Sequence, residues 1–90
     1  MDQEESSVIL IEQIRAARGL LGLSQTELAD RAGLSLPTIK RMEREDGGGP
    51  AVSDDAKEKV RAALEKAGVE FIAENGGGAG VRLKRRGKRV

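Results

Sequence analysis

Residues 24–43, SQTELADRAGLSLPTIKRME, carry the most specific structural pattern in this 90-residue chain. Ser24 and Glu27 have the spacing of a capping box, in which the hydroxyl and the carboxylate each bind a free backbone N–H group at a helix start. Gly33 ends that helix, because glycine readily adopts the left-handed conformation found after helix C-termini. The pattern therefore predicts a short second helix between Ser24 and Gly33.

A third helix follows after a short turn. Ser35 begins it, and Pro37 is tolerated in the first turn, where a backbone N–H is not needed. Ile39 and Met42 lie three residues apart on one face, so the helix is expected to cover about 35–44. Two short helices joined by such a turn are typical of the helix-turn-helix, whose second helix fits the major groove of DNA, about 12 Å wide.

Two further helices flank this unit. The first is predicted over 8–21, capped by Ser6 or Ser7 and ended by Gly22, from apolar residues at helical spacing. The last begins at Ser53 and stops at Gly68. Its apolar stripe consists of Ala56, Val60, Ala63, Leu64 and Ala67. The glycine-rich residues 45–50 between the third and last helices are predicted to form a loop.

The last third of the chain has the period of β-strands. Strands are predicted over 69–73 and 81–84, separated by a glycine-rich hairpin loop. Pairing Phe71 with Leu83 places the apolar side chains on one face and Glu70 opposite Lys84 on the other. An isolated two-stranded hairpin is only marginally stable, so we expect another part of the protein to pack against it. The apolar run Val8-Ile9-Leu10-Ile11 offers a surface for it, within one chain, between chains, or both.

The composition excludes several classes of function. Ninety residues suffice for one domain, and the absence of Cys and His removes thiolate metal sites, disulfides and imidazole-based triads. The single aromatic residue, Phe71, argues against RNA readers that stack bases. Because the sequence also lacks any apolar run long enough for a membrane span, we expect a cytoplasmic protein without a membrane partner. From the residue inventory we expect no metal, no cofactor and no enzymatic activity.

The charge is unevenly distributed although the formal net charge is only +1. Residues 1–12 contain four acidic residues and no base, whereas the end of the chain is basic. The basic residues there are Arg82, Lys84, Arg85, Arg86, Lys88 and Arg89. Basic tails commonly bind phosphate, so the tail 85–90 is predicted either to contact DNA or to act as a solvated terminus.

Residues 9 to about 67 resemble the lambda repressor and Cro-like (XRE) helix-turn-helix family. The resemblance rests on residues at fixed spacing: Ile14, Arg15, Ala16, Ala17 and Arg18, then Gly22-Leu23-Ser24-Gln25-Thr26-Glu27-Leu28-Ala29, then Gly33-Leu34-Ser35, then Ile39 and Glu43. It implies a mainly α fold, a four-helix lambda-repressor-like domain, here followed by a two-stranded β-hairpin. The family's fifth helix is missing, and Arg44-Glu45-Asp46 stands where the family usually has a helix-ending glycine.

The resemblance also implies which residues contact DNA. The positions of Leu36, Pro37 and Arg41 reach base edges in the family; Arg41 can bind guanine through two hydrogen bonds, while Leu36 and Thr38 can contact thymine methyl groups. Gln25 matches a position that contacts the DNA backbone through an amide and a helix N-terminus. The predicted backbone contacts are Ser24, Gln25, Ser35, Lys40 and Arg44, with water as the alternative partner of the last two.

Arg18 and Glu43 lie on otherwise apolar helix faces, where an unpaired charge is costly. We therefore expect them to form a structural ion pair, as the resemblance also implies.

These observations predict a helix-turn-helix DNA-binding domain over 1–68 with the motif at about 24–44, a hairpin over 69–84, and a basic tail over 85–90. The expected function is sequence-specific binding of double-stranded DNA by a homodimeric transcriptional regulator. The hairpin residues expected at the dimer interface are Val69, Phe71, Ile72, Val81 and Leu83. The alternative is a protein-binding antitoxin or anti-activator with the same fold, whose hairpin edge binds a second regulatory protein.

Overall fold

The computed structural model describes residues 9, 11–44 and 52–84. In this part of the chain four helices precede an antiparallel two-stranded hairpin, which confirms the predicted architecture. None of the described helices is long and apolar enough to cross a membrane. The predicted caps Ser6 and Ser7, the loop 45–50 and the basic tail 85–90 lie outside the described residues. The elements are α1 (Ile11–Leu21), α2 (Gln25–Ala32), α3 (Leu36–Met42), α4 (Asp54–Ala67), β1 (Val69–Ile72) and β2 (Gly80–Leu83).

The helix boundaries follow the predicted capping residues closely. Ser24, Ser35 and Ser53 are the N-caps of α2, α3 and α4, and each side-chain oxygen accepts a hydrogen bond from a backbone N–H three residues later. Gly33 ends α2 with φ of 71°, and Gly68 ends α4 with φ of 124°. Both angles are readily adopted only by glycine, so the two stop signals are confirmed.

Two helices are shorter than predicted. The first begins at Ile11 instead of residue 8, because Ile9 lies outside the helix with its side chain already in the core. The third covers Leu36–Met42 instead of 35–44, because Ser35 is its cap and Glu43 ends it with φ of −94° and ψ of 5°. Arg44, the first of the three residues that stand in place of the family's helix-ending glycine, therefore follows the end of the helix.

The core is aliphatic and is shared by all four helices and β1. Its largest fully buried side chains come from all four helices and β1, so the elements are packed into one core. They are Ile14, Leu28, Ile39, Leu64, Val60 and Val69. Leu21, Leu23 and Leu34 pack against this core while staying partly exposed.

The hairpin pairs in a register two residues away from the predicted one. Phe71 lies opposite Val81, not Leu83, and Glu70 lies opposite Arg82, not Lys84. A shift by two preserves the faces, so the apolar side chains still share one side of the ribbon. Arg82 replaces Lys84 as the partner of Glu70, with two hydrogen bonds of 3.2 Å.

The hairpin packs within the chain, β2 against α1 and β1 against α4. Gln13 of α1 is buried, and its Nε2 donates hydrogen bonds to the carbonyl oxygens of Ile72 (3.3 Å) and Gly80 (2.8 Å). Leu21 at the other end of α1 lines a groove together with Leu83. β2 therefore runs beside α1 in the same direction, with its first residue near Gln13 and its last near Leu21.

Candidate nucleic-acid interface

The α3 helix is held in place by its cap and its buried face. The Ser35 Oγ accepts a hydrogen bond from the Thr38 N–H (3.3 Å) and lies 2.9 Å from the Thr38 Oγ1. Pro37 stands in the first turn, and Ile39 and Met42 are buried against the core. The seven residues of α3 span about 10 Å, a length that fits within the major groove.

The outer face of α3 presents two residues that were predicted to contact bases. At 100° per residue, Pro37 and Arg41 lie close together on the side opposite Ile39. Pro37 is exposed and Arg41 is half-buried. Lys40, on the flank of this face, is exposed, and no described residue forms an ion pair with either Lys40 or Arg41. Both cations are therefore available to an external anion or to a guanine edge.

The remaining predicted contacts in and after α3 differ in accessibility. Leu36 and Thr38 are half-buried, and the Thr38 hydroxyl already interacts with Ser35. Arg44 is exposed just after the helix. Its backbone N–H lies 3.4 Å from the Arg41 carbonyl oxygen, so the turn after α3 holds it close to the outer face.

The N-terminus of α2 forms the second part of the candidate interface. Ser24 and Glu27 make the predicted capping box: the Glu27 N–H donates to the Ser24 Oγ (3.0 Å), and the Ser24 N–H donates to the Glu27 Oε1 (2.8 Å). The backbone hydrogen bond from Ser24 lowers the pKa of the Glu27 carboxyl. The negative charge of a carboxylate at this position offsets part of the partial positive charge at the helix N-terminus, which would otherwise attract a phosphate.

Gln25, the first residue of α2, has a partner that the sequence did not reveal. Its Nε2 donates a hydrogen bond to the Glu43 Oε1 at 3.2 Å, so the amide joins the start of α2 to the end of α3. The amide nitrogen carries two hydrogens. One hydrogen is donated to Glu43, and the other can be donated to a phosphate oxygen.

Arg18 and Glu43 form the expected ion pair. The Arg18 Nε and Nη2 donate to the two carboxylate oxygens of Glu43 at 2.8 and 2.9 Å, and the Arg18 Nη1 donates to the Leu23 carbonyl oxygen at 3.0 Å. The Glu43 side chain is only 4% exposed. The hydrogen bond with Glu43 raises the pKa of Arg18, so the guanidinium stays charged. This pair fixes α1, the α1–α2 turn and the end of α3 relative to one another.

The hairpin residues predicted at a dimer interface differ in accessibility. Val69 is fully buried inside the chain, which removes its side chain from any contact with a second copy. Phe71, Ile72 and Val81 are half-buried, and Leu83 is 54% exposed. The hairpin packs on α1 and α4, whereas α3 packs mainly on α2. The two candidate binding surfaces therefore belong to different parts of the domain.

Comparison with known families identifies the helical part of the chain. A family model described as helix-turn-helix matches residues 14–52, from the core face of α1 to just before the cap of α4. A search of curated proteins found no match to the chain. The matched segment contains α2, α3, the Arg18–Glu43 pair and Gln25, and the hairpin lies outside it.

Proposed function

Because residues 14–52 form a helix-turn-helix of the lambda repressor-like family, we propose that this chain is a sequence-specific transcriptional regulator that binds double-stranded DNA as a homodimer. The family suggests a DNA-binding regulator. Sequence-specific binding is supported by the outer face of α3, where Arg41 is available to a base edge and Lys40 to a phosphate.

In the proposed complex, α3 lies in the major groove with Pro37 and Arg41 facing the bases. Arg41 donates two hydrogen bonds to the O6 and N7 atoms of a guanine, the geometry in which arginine best distinguishes one base from the others. Leu36 and Thr38, at the edges of this face, contact thymine methyl groups. The Thr38 hydroxyl stays with Ser35 and does not take part in base recognition.

The DNA backbone is bound on both sides of the groove. The start of α2 brings Ser24 and the second amide hydrogen of Gln25 to a phosphate, with Glu43 fixing the orientation of the amide. Ser35, Lys40 and Arg44 contact phosphates at the other edge. Such contacts fix the register of the protein on the duplex, while the α3 side chains read the sequence.

The homodimer binds two half-sites related by a two-fold axis, which multiplies the affinity of a small domain. Because the hairpin packs away from α3, its self-association leaves both recognition helices free. The predicted operator is therefore an inverted repeat with half-sites about one helical turn, roughly 34–36 Å, or a multiple of it apart.

The test is selection of bound duplexes from a random pool by the purified chain, followed by sequencing, and then affinity measurements on two variants. Arg41→Ala should weaken binding to the selected operator by about 1–3 kcal/mol and relax the preference at one symmetric pair of base positions. Lys40→Ala, the matched control on the neighbouring residue, should weaken binding to all sequences alike. Equal enrichment of all duplexes at near-physiological salt would refute sequence-specific binding and favour the protein-binding alternative.

A further inference from the structure

The hairpin loop between β1 and β2 contains the only asparagine of the chain. Asn75 is followed by three glycines, and residues 73–78 are all exposed. Gly76 and Gly78 have φ of 100° and 87°, angles that residues with a side chain rarely adopt. No part of the proposed DNA interface includes this loop.

Two side chains of the loop bind its backbone N–H groups. The Glu74 Oε2 accepts hydrogen bonds from the Gly76 N–H (3.3 Å) and from the Gly78 N–H (3.2 Å). The Gly77 N–H donates to the Asn75 Oδ1 at 3.4 Å. The side-chain amide of Asn75 and the backbone nitrogen that follows it are therefore both oriented within the same turn.

The Gly76 nitrogen and the Asn75 amide are a nucleophile and an electrophile that are neighbours in the chain. The nitrogen attacks only when its proton is removed, and the Glu74 carboxylate is a base to which this N–H already donates. During attack on the Asn75 Cγ the amide oxygen becomes negative, and the Gly77 N–H already donates to that oxygen. Since Gly76 has no side chain, its nitrogen is accessible to the amide.

We propose that Asn75 is a self-modification site, at which the Gly76 nitrogen attacks the Asn75 Cγ and the side-chain amide is converted to an acid. The N–Cγ bond forms while Glu74 takes the proton of the Gly76 N–H. The Cγ–Nδ2 bond then breaks, and the amide nitrogen leaves with that proton as ammonia, so the Glu74 carboxylate is regenerated. Water hydrolyses the resulting succinimide ring at either carbonyl carbon, which gives aspartate or isoaspartate at position 75.

The reaction changes both the charge and the backbone of the hairpin loop. Each conversion adds a negative charge beside Glu74, and the isoaspartate product also lengthens the main chain by a methylene group. Because α2 and α3 supply none of the reacting groups, the conversion does not depend on the proposed function. Asn75 therefore distinguishes newly made chains from old ones.

The test follows Asn75 while the full chain is incubated near physiological temperature and pH, by peptide mapping with mass spectrometry and by ammonia release. The folded chain should lose the amide at least as fast as the same chain unfolded in guanidinium chloride, because the loop already orients the reacting groups. Both aspartate and isoaspartate should form at position 75. Asp46-Gly47 can close the same ring, but it releases water instead of ammonia, so the ammonia assay does not detect it.

Two variants test the part played by Glu74. Glu74→Gln keeps an oxygen that can accept the Gly76 and Gly78 N–H groups but removes the base. In the folded chain it should slow the conversion by about tenfold or more, whereas in the unfolded chain it should change nothing. Amide exchange at Gly78 should be the same with either side chain, because the loop keeps its shape. Glu58→Gln, the matched control, removes the same charge from an exposed position on α4 and should leave the rate unchanged.

A folded chain that converts as fast as the unfolded one or faster, together with a slowed Glu74→Gln variant, supports the proposal. Slower conversion in the folded chain than in the unfolded chain overturns it. Aspartate without isoaspartate would mean direct hydrolysis by water and overturns the attack by Gly76. A Glu74→Gln variant that converts at the unmodified rate overturns the role of the carboxylate as the base.

Discussion

Replacing Arg18 with alanine removes three hydrogen bonds from the centre of the domain. Two are short charge-assisted bonds to Glu43, at 2.8 and 2.9 Å, and the third binds the Leu23 carbonyl oxygen. Glu43 would keep only the Gln25 amide at 3.2 Å, with its side chain 4% exposed. An uncompensated buried charge of this kind costs about 3–5 kcal/mol, a large part of the roughly 5–15 kcal/mol that stabilises a small domain.

The assay is thermal and urea unfolding followed by circular dichroism. For a domain of this size the loss corresponds to a fall in Tm of about 12–40 °C, so the alanine variant should be partly unfolded near physiological temperature. The matched control is the double variant Arg18→Met with Glu43→Leu, which removes both charges and keeps apolar volume. It should be more stable than the Arg18→Ala variant, because no buried charge is left without a partner.

Two results would refute this reasoning. A Tm of the Arg18→Ala variant within a few degrees of the unmodified chain would mean that the carboxylate is hydrated and the pair contributes little. A double variant less stable than the single one would mean that the pair itself, and not the avoidance of an unpaired charge, stabilises the junction of the helices.

Three further predictions concern the hairpin, the acid response and the basic tail. Gln13→Leu should cost about 1–3 kcal/mol and speed amide exchange in the hairpin, because two strand carbonyl groups lose their buried donor; exchange that accelerates equally in all helices would contradict this. Hydrogen bonds from the Ser24 backbone and from the Arg82 side chain hold the pKa values of Glu27 and Glu70 below their usual range. The unfolded chain therefore binds protons at higher pH than the folded chain, and Tm should fall as the pH is lowered below the ordinary glutamate pKa of about 4.3. In the double variant Glu27→Gln with Glu70→Gln this fall should be smaller, and an identical profile would rule out both carboxylates as its source. Deleting 85–90 should weaken binding to all DNA sequences and flatten the slope of log affinity against log salt by about 0.9 per lost phosphate contact, whereas an unchanged slope would assign the tail to solubility.

The helical part of the fold was predictable because its signals are local. A capping box, three N-cap serines and two stop glycines act over three or four residues, and all of them have their predicted roles. The end of α3 was not predictable from such signals. Glu43 leaves the helix with its carboxylate bound to Arg18, a residue 25 positions earlier in the chain, so a tertiary contact sets this boundary.

The hairpin register shows the limit of pattern reasoning. Opposite Glu70 the sequence offers two cations, Arg82 and Lys84, and either choice keeps the apolar side chains on one face. The residue types and the alternation of apolar and polar side chains are therefore compatible with both registers. The observed one also places the Ile72 and Gly80 carbonyl groups where the buried Gln13 binds both.

The same limit applies to the candidate site. The spacing of Ser35, Ile39 and Met42 identified the outer face of α3, because helix geometry fixes what lies opposite a buried residue. The bond from Gln25 to Glu43 had no local signal, since the two residues lie 18 positions apart and glutamine at a helix start is ordinarily exposed. Sequence reasoning thus found the exposed face and missed the polar contact behind it.

The separation between α3 and the hairpin bears on how descendants of such a chain diverge. Substitutions at Pro37 and Arg41 change the outer face of α3, the proposed DNA-reading surface, while the hairpin packs on another part of the domain. In the proposed homodimer, if it forms through the hairpin, two copies produced by a duplication could acquire different operators and still exchange subunits. Mixed dimers would then recognise asymmetric operators that neither parent binds well. Under that proposal, insulating the two regulators from each other would require changes in the hairpin and none in α3.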